Sequence, residues 1–314
     1  MRVRAILNRD GGTLASMDVD AFAARLTKSF ESAGRPLDAD IVAGDDLIAA
    51  LDAAAGDPAV DVLLAGGGDG TISAAAARAW QGGKTLAVLP AGTMNLFARA
   101  LRLPLDLEPA VKALAGGRVI ECDIGVANGA PFVHQYSAGV QPRIVRERRR
   151  FEFQTKAGKV LASLRAAYRI FARPPSLKAE ITYDGARESG RYSYVVLSNN
   201  LYGEGHMPYA DRLDGGVLGV YRAGRLGLWE NMELAADLLR GAWRDNPHLV
   251  ADEAKRVVIE YQDLPKRAFA SLDGELIPME ARTEVEIRPR ALKAIAPASG
   301  PPATAGPAAG GPGA

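Results

Sequence analysis

The chain has a single cysteine, Cys122, in 314 residues, and three histidines, His134, His206 and His248, far apart in sequence. One cysteine excludes an intramolecular disulfide and any four-cysteine metal site, and it fits a reducing cytosol. The histidines show no metal-ligand spacing, so none is given a catalytic role. A dominant charge sign is missing too: 38 Lys and Arg face 37 Asp and Glu, which leaves the overall field without attraction for nucleic acid or an acidic partner. No apolar run approaches the ~20 residues of a membrane-spanning helix, and the run before Asn8 is too short for the hydrophobic region of an export signal. What remains is 48% hydrophobic residues, enough to bury a core in roughly two domains.

The first third alternates two periodicities. Apolar runs at residues 3 to 8 (VRAILN), 39 to 42, 60 to 67 (VDVLLAGG) and 84 to 90 read as buried strands. Between them lie helical stretches: Asp18 to Ala33, with Phe22, Leu26 and Phe30 on one face; Asp45 to Ala55; the alanine-rich run after Thr71; Gly92 to Leu101 as turn plus helix; and Leu107 to Ala115. Strand and helix alternating in this way predict a parallel sheet covered on both faces. From about Val119 the pattern changes to short strand-like pieces punctuated by Gly, Asn and Asp, which predicts an antiparallel β domain. Two helices interrupt it, at Lys156 to Ala172 and Leu228 to Arg244. The predicted boundaries are 1–122 for the α/β domain, with a segment near 280–296 returning to it, 123–296 for the β domain, and 297–314 for a disordered Pro, Gly and Ala tail.

The sharpest local feature is Gly66-Gly67-Gly68-Asp69-Gly70-Thr71, between a buried strand and a helix. Glycines there let backbone N–H groups approach phosphate oxygens, and the helix N-terminus favours negative charge. Asp69 would repel a phosphate unless it holds a metal, a water or the loop itself. A plain glycine turn capped by Asp is the competing reading. A Walker loop ending at Lys84-Thr85 fails because Arg78 stands where glycine is needed, and Thr71 replaces the third glycine of a dinucleotide fingerprint.

Four motifs, in order, resemble the diacylglycerol kinase catalytic family, which includes bacterial lipid kinases and the sphingosine and ceramide kinases. Asn8 with Asp10, Gly11 and Gly12 stands at the Asn-Pro-x-x-Gly loop, with Arg9 replacing proline; Gly67 to Thr71 is the GGDGT signature; Pro90 to Arg99 is similar to the P-x-G-T-x-N-D-x-A-R segment, with Leu96 replacing Asp; and Leu272-Asp273-Gly274-Glu275 matches a late D-G-E motif. The resemblance implies a parallel α/β nucleotide domain, a C-terminal β-sandwich, and ATP with Mg2+ and a lipid acceptor in the cleft between them. It implies that Gly67, Gly68, Asp69, Gly70 and Thr71 cradle the ATP phosphates, that Asn8, Gly11, Gly12, Gly92 and Thr93 line the nucleotide site, and that Asn95 orders the second loop. Glu275, or Asp273 beside it, would take the proton from the attacking hydroxyl, with Asp69 the third acid of the catalytic set. It further implies a cytoplasmic protein meeting its lipid at the inner membrane face.

Two departures bear on those expectations. Many bacterial members hold a structural magnesium with the second Asp of an Asp-Asp-Gly-x-Leu segment; here Asp214-Gly215-Gly216 puts glycine at that position, leaving Asp214 as the candidate ligand. Asp40 to Asp45 also lacks the threonine that the family tends to place after its second strand. The arginines Arg143, Arg146, Arg148, Arg149 and Arg150 read as a solvated face or an attraction for an anionic bilayer. Two rival functions stand beside the lipid kinase: an NAD kinase, which shares the GGDG loop, and a nucleotide-binding regulator without catalysis.

Overall fold

The computed structural model describes residues 1–150, 168, 170–172 and 174–298. Four strands, β1 (Val3–Asn8), β2 (Leu37–Val42), β3 (Val62–Gly67) and β4 (Thr85–Pro90), pair in parallel in the order β2-β1-β3-β4. The central strands β3 and β4 are buried along their whole length, as expected of parallel strands covered on both faces. Covering them are α1 (Val19–Ser32), α2 (Leu47–Gly56), α3 (Asp69–Gln81), α4 (Leu96–Ala100) and α5 (Leu107–Ala115). The spacing-four face of α1 is buried as predicted, through Phe22, Leu26 and Phe30. Its first turn is capped by Asp18, whose carboxylate accepts the Ala21 N–H at 3.0 Å, a cap of about 1 kcal/mol.

The second part is antiparallel. Its strands are β5 (Arg118–Ala127), β6 (Ala130–Phe132), β7 (Gln135–Gly139), β8 (Leu177–Tyr183), β9 (Ala186–Tyr192), β10 (Tyr194–Asn199), β11 (Leu218–Ala223), β12 (Val250–Ala254), β13 (Arg256–Gln262), β14 (Phe269–Leu272), β15 (Glu275–Pro278) and β16 (Arg282–Ala296). One layer has the order β12-β11-β10-β7-β14-β15, and β5, β6, β8, β9, β13 and β16 form the other. Tyr136, Val195, Leu197 and Val220 of the first layer share a core with Ile181, Val257, Ile259 and Val285 of the second. Alternation makes this possible: in β13 Val257, Ile259 and Tyr261 are buried, while Arg256, Glu260 and Gln262 are exposed.

Strand β16 joins the two parts into one ten-stranded sheet. Its early residues pair with β13, the stretch from Val285 to Ala296 runs antiparallel to β5, and Ala294 lies beside Leu86 of β4 in parallel register. The register with β5 shifts between Arg288 and Leu292, across Pro289 and Arg290. A bulge exposes a main-chain N–H that the ladder no longer satisfies. The fully buried carboxylate of Asp123 supplies the partner: it accepts the Arg290 N–H at 2.8 Å and the Gly216 N–H at 2.6 Å.

Some boundaries differ from the sequence reading. Helix α4 begins only at Leu96, because Asn95 adopts a left-handed φ of 50°. Helix α7 (Leu228–Arg240) stops four residues early, at Gly241, whose φ of 74° closes the helix before a short 3-10 turn at Trp243–Asp245. A helix not foreseen, α6 (Val140–Arg150), carries the arginine-rich stretch. The helix predicted at Lys156 to Ala172 falls almost entirely outside the described residues, as does the tail from 299.

Replacing Asp123 by Ala should leave the N–H groups of Arg290 and Gly216 buried without an acceptor and lower stability by about 2–4 kcal/mol. Urea unfolding checks this; an unchanged midpoint would show that the bulge does not depend on the carboxylate.

Candidate active site

The loops that leave the C-terminal ends of the four parallel strands are tied to one another, at the edge where open α/β sheets bind ligands. After β1, Asn8 accepts the Asp10 N–H at 3.1 Å and donates through Nδ2 to Thr71 Oγ1 at 3.3 Å. Asp10 accepts the Gly44 N–H after β2 at 2.7 Å. Gly11 donates its N–H to the Asn8 carbonyl at 3.0 Å, and Thr13 donates to Ala91 O after β4 at 2.7 Å. Between them Gly12, at φ 53°, lies so close to β4 that a Cβ would sit 1.8 Å from Ala91 O. Only glycine fits there.

Strand β3 ends at Gly67, packed on the Thr71 side chain, and Gly68 caps α3 in an extended conformation. The first helical donor is the Ile72 N–H, to Gly68 O at 3.1 Å, so the N–H groups of Asp69, Gly70 and Thr71 have no acceptor within the helix. Three such donors at the positive end of a 13-residue helix fit phosphate oxygens. The Asp69 carboxylate is directed away from this end: Oδ2 accepts the Asn95 N–H at 3.0 Å and Oδ1 the Leu96 N–H at 2.7 Å. Of the three roles open to Asp69, holding the loop is the one made here. Asn95 completes the tie, accepting the Gly92 N–H and donating to Gly92 O, both at 2.8 Å. Gly92 approaches Gly68 closely, for a Cβ on it would lie 2.7 Å from Gly68 Cα; Thr93 is exposed on the loop.

Opposite stands the β14–β15 turn. Asp273, at φ 48°, is buried and accepts four hydrogen bonds: from Ser73 Oγ at 2.7 Å and from the N–H groups of Val133 at 2.9 Å and of His134 and Gln135 at 2.8 Å. Burial pushes its carboxyl above the usual carboxylate range, and the four donors hold it down in part. Both carboxylate oxygens are thus engaged in fastening the turn to α3 and to the β6–β7 connection. Glu275 is exposed and reaches the phosphate loop: a Cβ on Gly70 would lie 3.1 Å from its Oε1.

Between these parts lies a small pocket lined by Asp69, Ile72, Ser73, Leu96, Phe97, Val133, His134 and Asp273. Burial lowers the His134 pKa from 6.5 to about 4, against the opposing pull of the Asp69 charge, so the ring is neutral at pH 7. Elsewhere Asp214 pairs with Arg212 at 3.3 Å, and among the described residues no three His, Cys, Asp or Glu side chains gather into a metal site. A nucleotide-borne Mg2+ needs only phosphate oxygens with one or two carboxylates.

Residues 2–127 match the family model of the diacylglycerol kinase catalytic domain. The chain thus resembles that family, as the four motifs predict. The diacylglycerol kinase of Bacillus subtilis (strain 168) is 29% identical over 197 residues, covering 61% of this chain and 62% of that protein. That of Staphylococcus aureus (strain JH9) is 26% identical over 197 residues, covering 61% of each. The match thus spans under two thirds of the length of these curated relatives. The crystal structure of a diacylglycerol kinase from Bacillus anthracis str. Sterne shares the fold, with a TM-score of 0.70 at 20% identity, covering 95% of this chain and 97% of that one. The expected fold class, an α/β domain followed by an antiparallel one, is the observed one.

The diacylglycerol kinase motifs that lie far apart in sequence meet here: Asn8 bonds Thr71, Asp69 bonds the Asn95 loop, and Glu275 reaches Gly70. Sequence reasoning gave His134 no catalytic role and did not single out Ser73. Neither lies in a motif, and His134 enters the pocket only because Asp273 and Asn199 grip its main chain.

A histidine neutral when folded binds fewer protons than the unfolded chain between pH 4 and 6.5, so its contribution is full above about 6.5 and is lost as pH falls toward 4. With Asp69 and Asp273 the acids facing it, replacing His134 by Phe should flatten the fall in melting temperature between pH 7 and pH 5. Equal slopes in the two proteins would refute the burial of a neutral ring.

Proposed function

We propose that this chain transfers the γ-phosphoryl group of ATP to a hydroxyl of a diacylglycerol-like or sphingoid lipid. The observation that carries the reading is the convergence of a glycine loop, with three N–H groups lacking helical acceptors, and the Glu275 carboxylate at one helix N-terminus. The relatives named diacylglycerol kinase support the same reaction class.

In this reading the N–H groups of Asp69, Gly70 and Thr71 hold phosphate oxygens, while Asn8, Gly11, Gly12, Gly92 and Thr93 border the nucleotide. Asp69 and Asn95 keep the second loop against the first, so the cradle is rigid before the nucleotide arrives. Glu275 accepts the proton of the acceptor hydroxyl as its oxygen bonds to the γ-phosphorus and the bond from that phosphorus to the bridging oxygen of ADP breaks. Mg2+, when bound with the nucleotide, neutralises charge on the phosphate oxygens. Residues 1–122 with the end of β16 serve as the nucleotide domain and 123–296 as the acceptor domain. In the same reading the acceptor is met at the bilayer surface by a cytoplasmic protein; among the described residues no helix is long and apolar enough to cross a membrane.

Purified protein given labelled ATP, magnesium and mixed micelles of diacylglycerol, ceramide or sphingoid base should label one lipid class. Glu275→Gln should lower that transfer by about 10²–10⁴-fold while ATP still binds. Label on NAD in place of lipid would favour the NAD kinase reading, and ATP binding without transfer to any alcohol the regulator.

A further inference from the structure

Within the pocket between the phosphate loop and the β domain, nearly every polar side chain is already committed. Asp69 accepts the N–H groups of Asn95 and Leu96, Ser73 donates to Asp273, and Asp273 accepts four donors. His134 differs. Its main chain is gripped on both sides, the N–H by Asp273 at 2.8 Å and the carbonyl by the Asn199 N–H at 2.9 Å, yet its ring nitrogens make no hydrogen bond to a described residue. The ring is held in place by Tyr202, 5.7 Å away between centroids. Tyr202 in turn stacks on Tyr221 at 4.7 Å, and Tyr221 meets Trp243 edge-on at 5.2 Å. The opposite walls, Ile72, Leu96, Phe97 and Val133, are apolar.

We propose that His134 positions the acceptor alcohol, its imidazole exchanging hydrogen bonds with the hydroxyl that receives the phosphoryl group while Leu96 and Phe97 seat the apolar carbons next to it. The inference rests on the lipid-kinase reading above. A neutral imidazole carries one donor and one acceptor, matching an alcohol, and it adds no positive charge to draw a phosphate. Its low pKa keeps it in that form at neutral pH. A backbone held on both sides and a ring tilted against Tyr202 set the angle of approach before substrate binds.

Kinetics with dioctanoylglycerol micelles test this. His134→Phe keeps a ring against Tyr202 and removes both nitrogens; it should raise the KM for the lipid about tenfold, or lower kcat together with it, and leave the KM for ATP unchanged. His134→Gln, with a donor and an acceptor, should recover part of the loss. An unchanged lipid KM in His134→Phe would overturn the proposal, as would an equal rise in both KM values. A second readout needs neither turnover nor a folded variant. In protein labelled with 13C-histidine, dioctanoylglycerol without ATP should shift one of the three imidazole signals, and Mg-ATP alone should leave it in place. If the native enzyme labels no lipid, the function proposed above fails on its own, and this titration still decides the role of His134: no shifted signal overturns it.

Discussion

The Asp273 carboxylate, buried at the junction of the two domains, is the fastening on which the arrangement of the site depends. Its four donors come from two places: Ser73 on α3, and the consecutive main-chain N–H groups of Val133, His134 and Gln135 leading into β7. A single side chain thus fixes the β14–β15 turn, and with it Glu275 two residues on, against the N-terminal end of α3. A buried carboxylate is expensive unless every lone pair finds a donor, and once fully bonded it is costly to disturb. The rigidity of the cleft follows from that asymmetry.

Two further aspartates repeat the device at other seams. Asp69 joins the loops after β3 and β4, and Asp123 joins the bulge in β16 to the turn before β11. In each case a side-chain anion satisfies N–H groups that leave regular structure, as buried main chain requires. Asp69 shows how an acid can stand in a glycine loop at a helix N-terminus: its carboxylate accepts two main-chain donors of the neighbouring loop. The same logic accounts for the region around Asp214. There main-chain N–H groups meet Asp123 and Asn200 directly, Gly215 donating to Asn200 Oδ1 at 2.8 Å, and the acid missing at position 215 is not needed to hold the turn.

Much of the fold was legible in the sequence. The change from period four around Phe22, Leu26 and Phe30 to period two around Val257, Ile259 and Tyr261 separates the α/β half from the antiparallel half, because each periodicity buries one face of its own element. Element ends were less legible. Asn95 and Gly241 end or delay helices through left-handed φ values, and neither residue type adopts that conformation everywhere it occurs. In the site, the motif glycines and Glu275 could be picked out, whereas the difference between Asp273 and Glu275 could not: both flank Gly274, and only the closing of β7 and α3 around one of them makes it a fastening.

The sequence by itself determined the two-part architecture, the glycine loop after β3 and the resemblance to diacylglycerol kinases, since these rest on local periodicity and on short motifs whose chemistry is local. Tertiary structure alone decided that Asp273 fastens the β14–β15 turn, that β16 carries one sheet through both domains, and that His134 stands beside the glycine loop. These depend on contacts between residues as far apart as Ser73 and Asp273, separated by 200 positions, and such pairings are set by the packing of whole layers.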